Sequence, residues 1–176
     1  MRTVSDSTPL ILYAKIGRLD LLEKFFNKIT IPSAVYHEVV TRGKQHQIPD
    51  AYIVEKVVDD WINVTSVDPE TQNRYGFIDN NPGLDTGEKE ALKLCKQIGA
   101  QLLLADDRLA RKTSKILNIK SLGSLGVVIQ AIRHGVITKK DAYQIVDDLL
   151  DAGLRLDIIL YKRIQEIIEN TESPDQ

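Results

Sequence analysis

Short apolar runs alternate along the chain with stretches whose apolar residues recur every three or four positions. That is the pattern of strands separated by amphipathic helices, and hence of a parallel sheet. Thr3-Val4-Ser5 reads as a first strand. Thr8 followed by Pro9 reads as a helix cap and first turn, and the helix carrying Leu10, Ile11, Tyr13 and Ala14 is expected to stop at Gly17. A second helix over 19–26 presents Leu21, Leu22, Phe25 and Phe26 to a core. A strand over 28–32, helices over 33–40 and 51–61, and a strand over 63–65 follow. Residues 66–84 carry neither period and read as a long loop, a type of segment that is usually functional or mobile. Periodicity resumes with a helix over 86–98 stopped by Gly99 and a buried strand over 101–105. A helix over 107–117, a strand over 119–122 and a helix over 124–133 stopped by Gly135 complete the alternation. Beyond Thr138 only helical periods remain, over 139–150 and 157–169, as a hairpin laid on the core. The expected organisation is a doubly wound α/β domain over 1–135, a helical extension over 136–170 and a frayed polar tail over 171–176.

Composition narrows the function classes. At 176 residues the chain has the size of one domain. Lys plus Arg number 23 and Asp plus Glu 25, a formal charge of −2. This excludes a globally basic nucleic-acid binder and confines any such contact to a local patch. The single cysteine, Cys95, excludes a disulfide framework and a zinc–cysteine cluster. His37, His46 and His134 are too scattered for a helical pair of metal ligands. No apolar run approaches the roughly 18 residues that span a bilayer, and the first residues lack a signal-peptide core. A reduced, cytoplasmic setting without membrane association is expected.

The candidate chemistry lies in carboxylates that follow strands, where ligands sit in open parallel sheets. Asp6 directly follows the first strand, and Asp106 and Asp107 follow the strand over 101–105. Glu38 lies on the helix after the second strand, and Glu88 near the start of the helix at Thr86. Gathered at one sheet edge, such charges repel and require a divalent cation; oxygen-only ligands suit Mg2+ or Mn2+. Each acid also has a plainer use. Asp106 or Asp107 suits a helix cap, Asp85 with Glu88 a capping box, and Glu38 a solvated helix face. Asp6 is the hardest to explain in this way, because Thr8 already serves as cap to the helix it precedes.

Four stretches, in order and spacing, resemble the PIN domain, the fold of VapC-like toxin ribonucleases. Val4-Ser5-Asp6-Ser7-Thr8-Pro9-Leu10 looks like its opening motif, and Ile31-Pro32-Ser33-Ala34-Val35-Tyr36-His37-Glu38-Val39-Val40 like its second. Asp85-Thr86-Gly87-Glu88-Lys89-Glu90-Ala91 and Leu103-Leu104-Ala105-Asp106-Asp107-Arg108-Leu109-Ala110-Arg111 resemble the third and fourth acidic motifs of one prokaryotic branch. The resemblance covers residues 1 to about 135, and the hairpin is similar to that branch's C-terminal extension. It implies a PIN-like three-layer α/β fold and an endoribonuclease that hydrolyses RNA phosphodiester bonds with Mg2+ or Mn2+. It further implies Asp6, Glu38, Glu88 and Asp106 or Asp107 as catalytic residues, with metal ligands among Asp6, Glu88, Asp106 and Asp107. A toxin of a toxin–antitoxin pair, and thus an antitoxin partner, belong to the same implication. Two positions depart from the family pattern: Ala105 stands where Thr or Ser is usual, and Glu88 lies nearer its helix start than the usual Asp. One or two ions would activate a water and neutralise the scissile phosphate, about 3.5–4 Å apart if two. No histidine or serine nucleophile is needed.

Arg108, Arg111, Lys112 and Lys115 form one helical stripe, either a solvated face or a ridge for RNA phosphates. The opposite stripe, Leu109, Thr113, Ile116 and Leu117, is expected to face the core. Arg42, Lys44 and His46, read as a loop after Glu38, would extend the ridge, and Tyr75 and Phe77 are candidates to stack on bases. Two other classes compete: a PIN-like module that binds RNA or protein without cleaving, and a haloacid-dehalogenase-type phosphatase, which needs an Asp where Thr8 stands. A homodimer is expected from the hairpin, whose Leu149, Leu150, Ile158, Ile159 and Ile167 offer more apolar surface than one sheet face needs.

Overall fold

The computed structural model describes residues 1–171. β1 (Thr3–Ser5) leads into α1 (Ser7–Lys15) and α2 (Leu19–Phe26). β2 (Ile29–Pro32) runs into a continuous helical stretch made of α3 (Ser33–Tyr36), a π-helical turn (His37–Arg42) and α4 (Gly43–Gln45), followed by α5 (Pro49–Glu55). After β3 (Ile62–Thr65) come α6 (Pro69–Arg74), a 3-10 turn (Gly76–Asn80) and α7 (Thr86–Ile98). β4 (Leu102–Leu104) precedes α8 (Arg108–Ile116), and β5 (Lys120–Leu122) precedes α9 (Ser124–Arg133), α10 (Lys139–Asp151) and α11 (Ile158–Asn170).

All five strands are parallel, in the order β3-β2-β1-β4-β5. The order reverses between β1 and β4, so their carboxyl ends form the switch point where ligands bind in such sheets. Ser5 pairs with Leu104, and the Asp6 N–H donates to the Leu104 carbonyl at 2.9 Å. The first acid is therefore fixed by the ladder itself.

Alternation along the strands feeds two cores. Ile29, Ile31, Leu102 and Leu104 face α1, α2, α9 and the C-terminal hairpin, whereas Val4 and Leu103 face α7 and α8. This is the three-layer α/β arrangement that the family resemblance implies, with the parallel sheet expected from the pattern. Leu10, Leu21, Leu22, Ile29 and Ile31 are fully buried, each worth about 1.5–3 kcal/mol over exposure. The hairpin joins the first core through Ala142, Ile145, Val146, Leu149, Ile164 and Ile168, with Leu150 and Ile167 packed against it. Three of the five side chains expected to drive dimerisation are thus used within the chain. Ile158 and Ile159 stay 66% and 78% exposed.

The structure departs from the sequence pattern in several places. The cap of α1 is Asp6, not Thr8; the helix starts as soon as β1 ends, and Pro9 fits because the first turn needs no intrahelical N–H donor. The helix expected over 51–61 starts at Pro49 and ends at Glu55. The stretch expected as a loop over 66–84 is built. The Asp68 side chain caps α6 by accepting from the Thr71 N–H at 2.7 Å, and Ile78 and Leu84 are buried. Lys93 of α7, 1% exposed, donates to Asp79 at 2.5 Å and to Gln72 Oε1 at 3.0 Å. On α8 the buried face is Ala110, Ser114 and Leu117, at i, i+4 and i+7, so Ile116 points outward at 71% exposure. Arg42 and Lys44 are helical, and His46 is the residue that ends α4. The tail expected to fray lies, for residues 172–176, outside the described residues.

Candidate active site

Asp6 occupies the capping position of α1 with extended backbone (φ −78°, ψ 174°), yet its carboxylate makes no capping bond. It is 3% exposed, and its Oδ1 has no hydrogen-bond partner among the described residues. Burial pushes this carboxyl up to about 8; the nearby Ser7 amide opposes the shift, and the charges of Asp85, Glu88 and Glu38 add to it. Glu38 sits on the π-helical turn, half-buried, and its Oε2 accepts from the Ser7 hydroxyl at 2.7 Å. Helical distortions of this kind are frequent at functional sites. Gly87 lets α7 approach: a Cβ there would stand 3.3 Å from the same Glu38 oxygen and 3.4 Å from Asp85 Oδ1.

Asp85 and Glu88 form a capping box at the start of α7. Glu88 N–H donates to Asp85 Oδ1 at 2.8 Å, and Asp85 N–H to Glu88 Oε2 at 2.9 Å. The plainer reading of this pair is therefore realised. Glu88 is nonetheless 7% exposed, and burial holds its carboxyl above the usual range; the Asp85 amide opposes this, and Asp85, Asp107 and Glu38 reinforce it. Asp6, Glu38, Asp85, Glu88 and Asp107 are thus linked in one electrostatic neighbourhood.

The two adjacent aspartates after β4 diverge. Asp107 caps α8, its Oδ1 accepting from Leu109 N–H at 2.6 Å and Ala110 N–H at 2.9 Å. Asp106 turns to β5–α9, accepting from Ser124 N–H at 2.8 Å and Ser124 Oγ–H at 2.6 Å. Burial raises its carboxyl, against the Ser124 bonds and the Arg111 charge. The charge of Asp106 falls on Tyr13, whose hydroxyl, raised chiefly by burial, donates to the Ser124 carbonyl at 2.9 Å. Ser7, Asp85 and Ser124 are the participants that sequence reasoning left out of the site. Ser7 lies directly after Asp6, and Ser124 follows Gly123 at the β5–α9 turn, where an acid two loops away has amide donors within reach.

Beside Glu38 and Asp85 lies a cleft of about 340 Å3, lined also by His37, Arg42, Thr86 and Gly87. A family model described as the PIN domain matches residues 2–170. The chain belongs to the PIN-domain family. This PIN domain includes the C-terminal hairpin within the match, and its fold is of nuclease type, associated with nucleic acid. The phosphatase expectation gives way to this assignment, and the position where it needs a second acid holds Thr8, an exposed residue of α1. No curated protein matches the chain significantly. No helix among the described residues is long and apolar enough to cross a membrane.

Among the described residues, no three His, Cys, Asp or Glu groups form a ready-made ligand set. What the PIN-domain site offers instead is spare oxygens. Asp6 Oδ1, Glu38 Oε1, Glu88 Oε1 and Asp107 Oδ2 stand outside the hydrogen bonds that fix their side chains. The basic residues also sort themselves. Arg108, Arg111, Lys112 and Lys115 are exposed along α8, whereas Lys44 is paired with Glu55 at 2.6 Å. Tyr75 packs against the second core, with Phe77, 57% exposed, 6.2 Å away ring to ring.

Proposed function

We propose that this PIN-domain protein is a divalent-metal-dependent endoribonuclease that hydrolyses RNA phosphodiester bonds. One observation carries the reading: a buried aspartate at the sheet's switch point keeps an oxygen with no partner while three further carboxylates act on it. An unpartnered buried polar atom is costly, and a cation beside it would remove that cost. The donors fit Mg2+ or Mn2+, since all are hard carboxylate oxygens. Asp6, Glu38, Glu88 and Asp107 are the residues that would hold the ion. Asp106, with both oxygens on Ser124, is assigned to hold the β5–α9 turn.

Bound there, the ion would make a water more acidic and neutralise charge on the scissile phosphate. The chain's own groups prepare the place. The Ser7 hydroxyl orients Glu38, the capping box orients Glu88, and burial leaves Asp6 ready to exchange its proton for a cation. Arg108, Arg111, Lys112 and Lys115 supply an exposed ridge for RNA phosphates.

Single-stranded RNA incubated with the protein and Mn2+ should be cut. Cutting should stop with chelator and in Asp6→Asn; RNA left intact under every condition overturns the reading. Binding of RNA or a protein without cleavage is a second reading, favoured by the Glu88 carboxylate that closes a capping box; it leaves the RNA bound and uncut in the same incubation. A toxin role and an antitoxin partner extend the first reading on the strength of the motif resemblance, and a cytoplasmic setting on the composition, with its single cysteine. Homodimerisation is proposed through Ile158 and Ile159, and a monomer in sedimentation at micromolar concentration would count against it.

A further inference from the structure

The cleft beside Glu38 and Asp85 carries a cation as well as these two carboxylates. Arg42, the last residue of the π-helical turn and four positions after Glu38, lines it together with His37, Glu38 and Asp85. Its side chain is exposed and enters no ion pair among the described residues. Lys44, two residues on, is neutralised by Glu55 through contacts of 2.6 and 2.8 Å. On α8, Arg111 and Lys115 line a separate hollow together with Asn118 and Lys120. Arg42 is therefore the one Lys or Arg among the described residues that lines this cleft with Glu38 and Asp85.

A phosphodiester entering this cleft meets Glu38 and Asp85, and like charge opposes its approach. Local positive charge is needed to offset that repulsion. Two features supply it. The Thr86 and Gly87 amides, in the first turn of α7, have no acceptor within their own helix. Arg42 presents a planar fork of donors that suits two oxygens of one phosphate. Asp6, 3% exposed with its Oδ1 partnerless, lies behind the cleft, next to Ser7, whose hydroxyl donates to the cleft-lining Glu38.

We propose that Arg42 is a phosphate-binding residue of this site, gripping a phosphate of single-stranded RNA through its guanidinium beside Glu38 and Asp85. This rests on the ribonuclease reading above. It makes the ridge on α8 a track for flanking phosphates, while Arg42 holds the one that is presented to the acids.

The test is a titration of a labelled oligouridine with the full chain in chelator, followed by fluorescence anisotropy across a salt series. Wild type, Arg42→Ala, Arg42→Lys and Lys44→Ala are compared. Arg42→Ala should bind about tenfold more weakly, and the slope of log affinity against log salt should fall by about 0.7, the value of one single-strand phosphate contact. Arg42→Lys should keep the slope and recover part of the affinity, because lysine is a point charge without the fork. Lys44→Ala should match wild type. The rise in melting temperature caused by Mn2+ should be the same in Arg42→Ala as in wild type, since Arg42 holds no metal. Unchanged affinity and slope in Arg42→Ala, or an equal loss in Lys44→Ala, overturns the proposal. An oligothymidine of equal length separates the two failures. Binding to DNA alone, still dependent on Arg42, removes the ribonuclease reading and leaves the phosphate contact standing. Binding to neither overturns the Arg42 proposal, while the ribonuclease reading stands or falls with the Mn2+ incubation.

Discussion

β1 and β4 lie side by side, and each is an apolar strand followed by aspartate, yet the two tips have opposite fates. Asp106 finds a hydroxyl and an amide in Ser124 and becomes a tether between two loops. Asp6, the more deeply hidden of the two, finds no partner for Oδ1. The difference lies in the neighbours. The β5–α9 turn brings donors to the β4 tip, whereas α1, the π-helical turn and α7 surround the β1 tip mainly with other acids. A satisfied carboxylate stabilises the fold; an unsatisfied one stores a demand that a cation can meet.

Exchanging the tips' chemistry should break this contrast. Asp6→Asn should lower RNA cleavage by orders of magnitude, because a neutral amide is a poor ligand for a hard cation. In chelator the same variant should be as stable as wild type or more so, because wild type must either keep Asp6 protonated at a cost or ionise it among like charges. Mn2+ should then raise the melting temperature of wild type more than that of the variant. An Asp6 that served the backbone would give the reverse: a variant weakened by about 1 kcal/mol with an unaltered metal response. Melting curves of both proteins, with chelator and with Mn2+, distinguish the two.

The second expectation concerns pH. Unfolded, Asp6 ionises near 3.8; folded, near 8. Between these values the folded chain holds a proton that the unfolded chain has released, so the Asp6 contribution to metal-free stability falls as pH rises from about 4 to about 8. The difference between wild type and Asp6→Asn, followed by denaturant titration in chelator, should widen in the variant's favour across that window. A difference that stays flat would show that Asp6 is not held protonated by its surroundings.

Asp106→Ala should do the opposite of Asp6→Asn. It leaves the Ser124 donors without their acceptor and should cost about 1–3 kcal/mol while preserving the Mn2+ response. A lost metal response with unchanged stability would move Asp106 into the ligand set. The smallest effect is expected for Ser7→Ala, which removes one hydrogen bond to Glu38 and should cost about 1 kcal/mol, visible as a modest shift in denaturant midpoint.

Elements with a full amphipathic period and a clear stop were legible in the sequence. The helix over 86–98 with Gly99 behind it, and the helices over 19–26 and 124–133, have their expected bounds. The segment over 66–84 was not, because a six-residue helix and a 3-10 turn are too short to show a period. Their anchor, the buried Lys93, reads in sequence as an ordinary surface charge. The acids at the strand tips were legible as a set. Their division of labour was not: Asp106 and Asp107 are adjacent in a loop, where no periodicity says which way a side chain turns. The donor that decides the matter, Ser124, lies eighteen positions away.

The π-helical turn makes this part of the chain sensitive to length rather than to identity. Glu38, near its beginning, reaches Ser7. Gly43, just past its end, lies so close to α5 that an added Cβ would stand 2.6 Å from the Ala51 Cβ. Removing one residue from a helix rotates everything beyond it by about 100°. A single-residue deletion within 39–42 therefore cannot preserve both contacts, and a deletion scan should find these four positions intolerant even where substitutions are accepted.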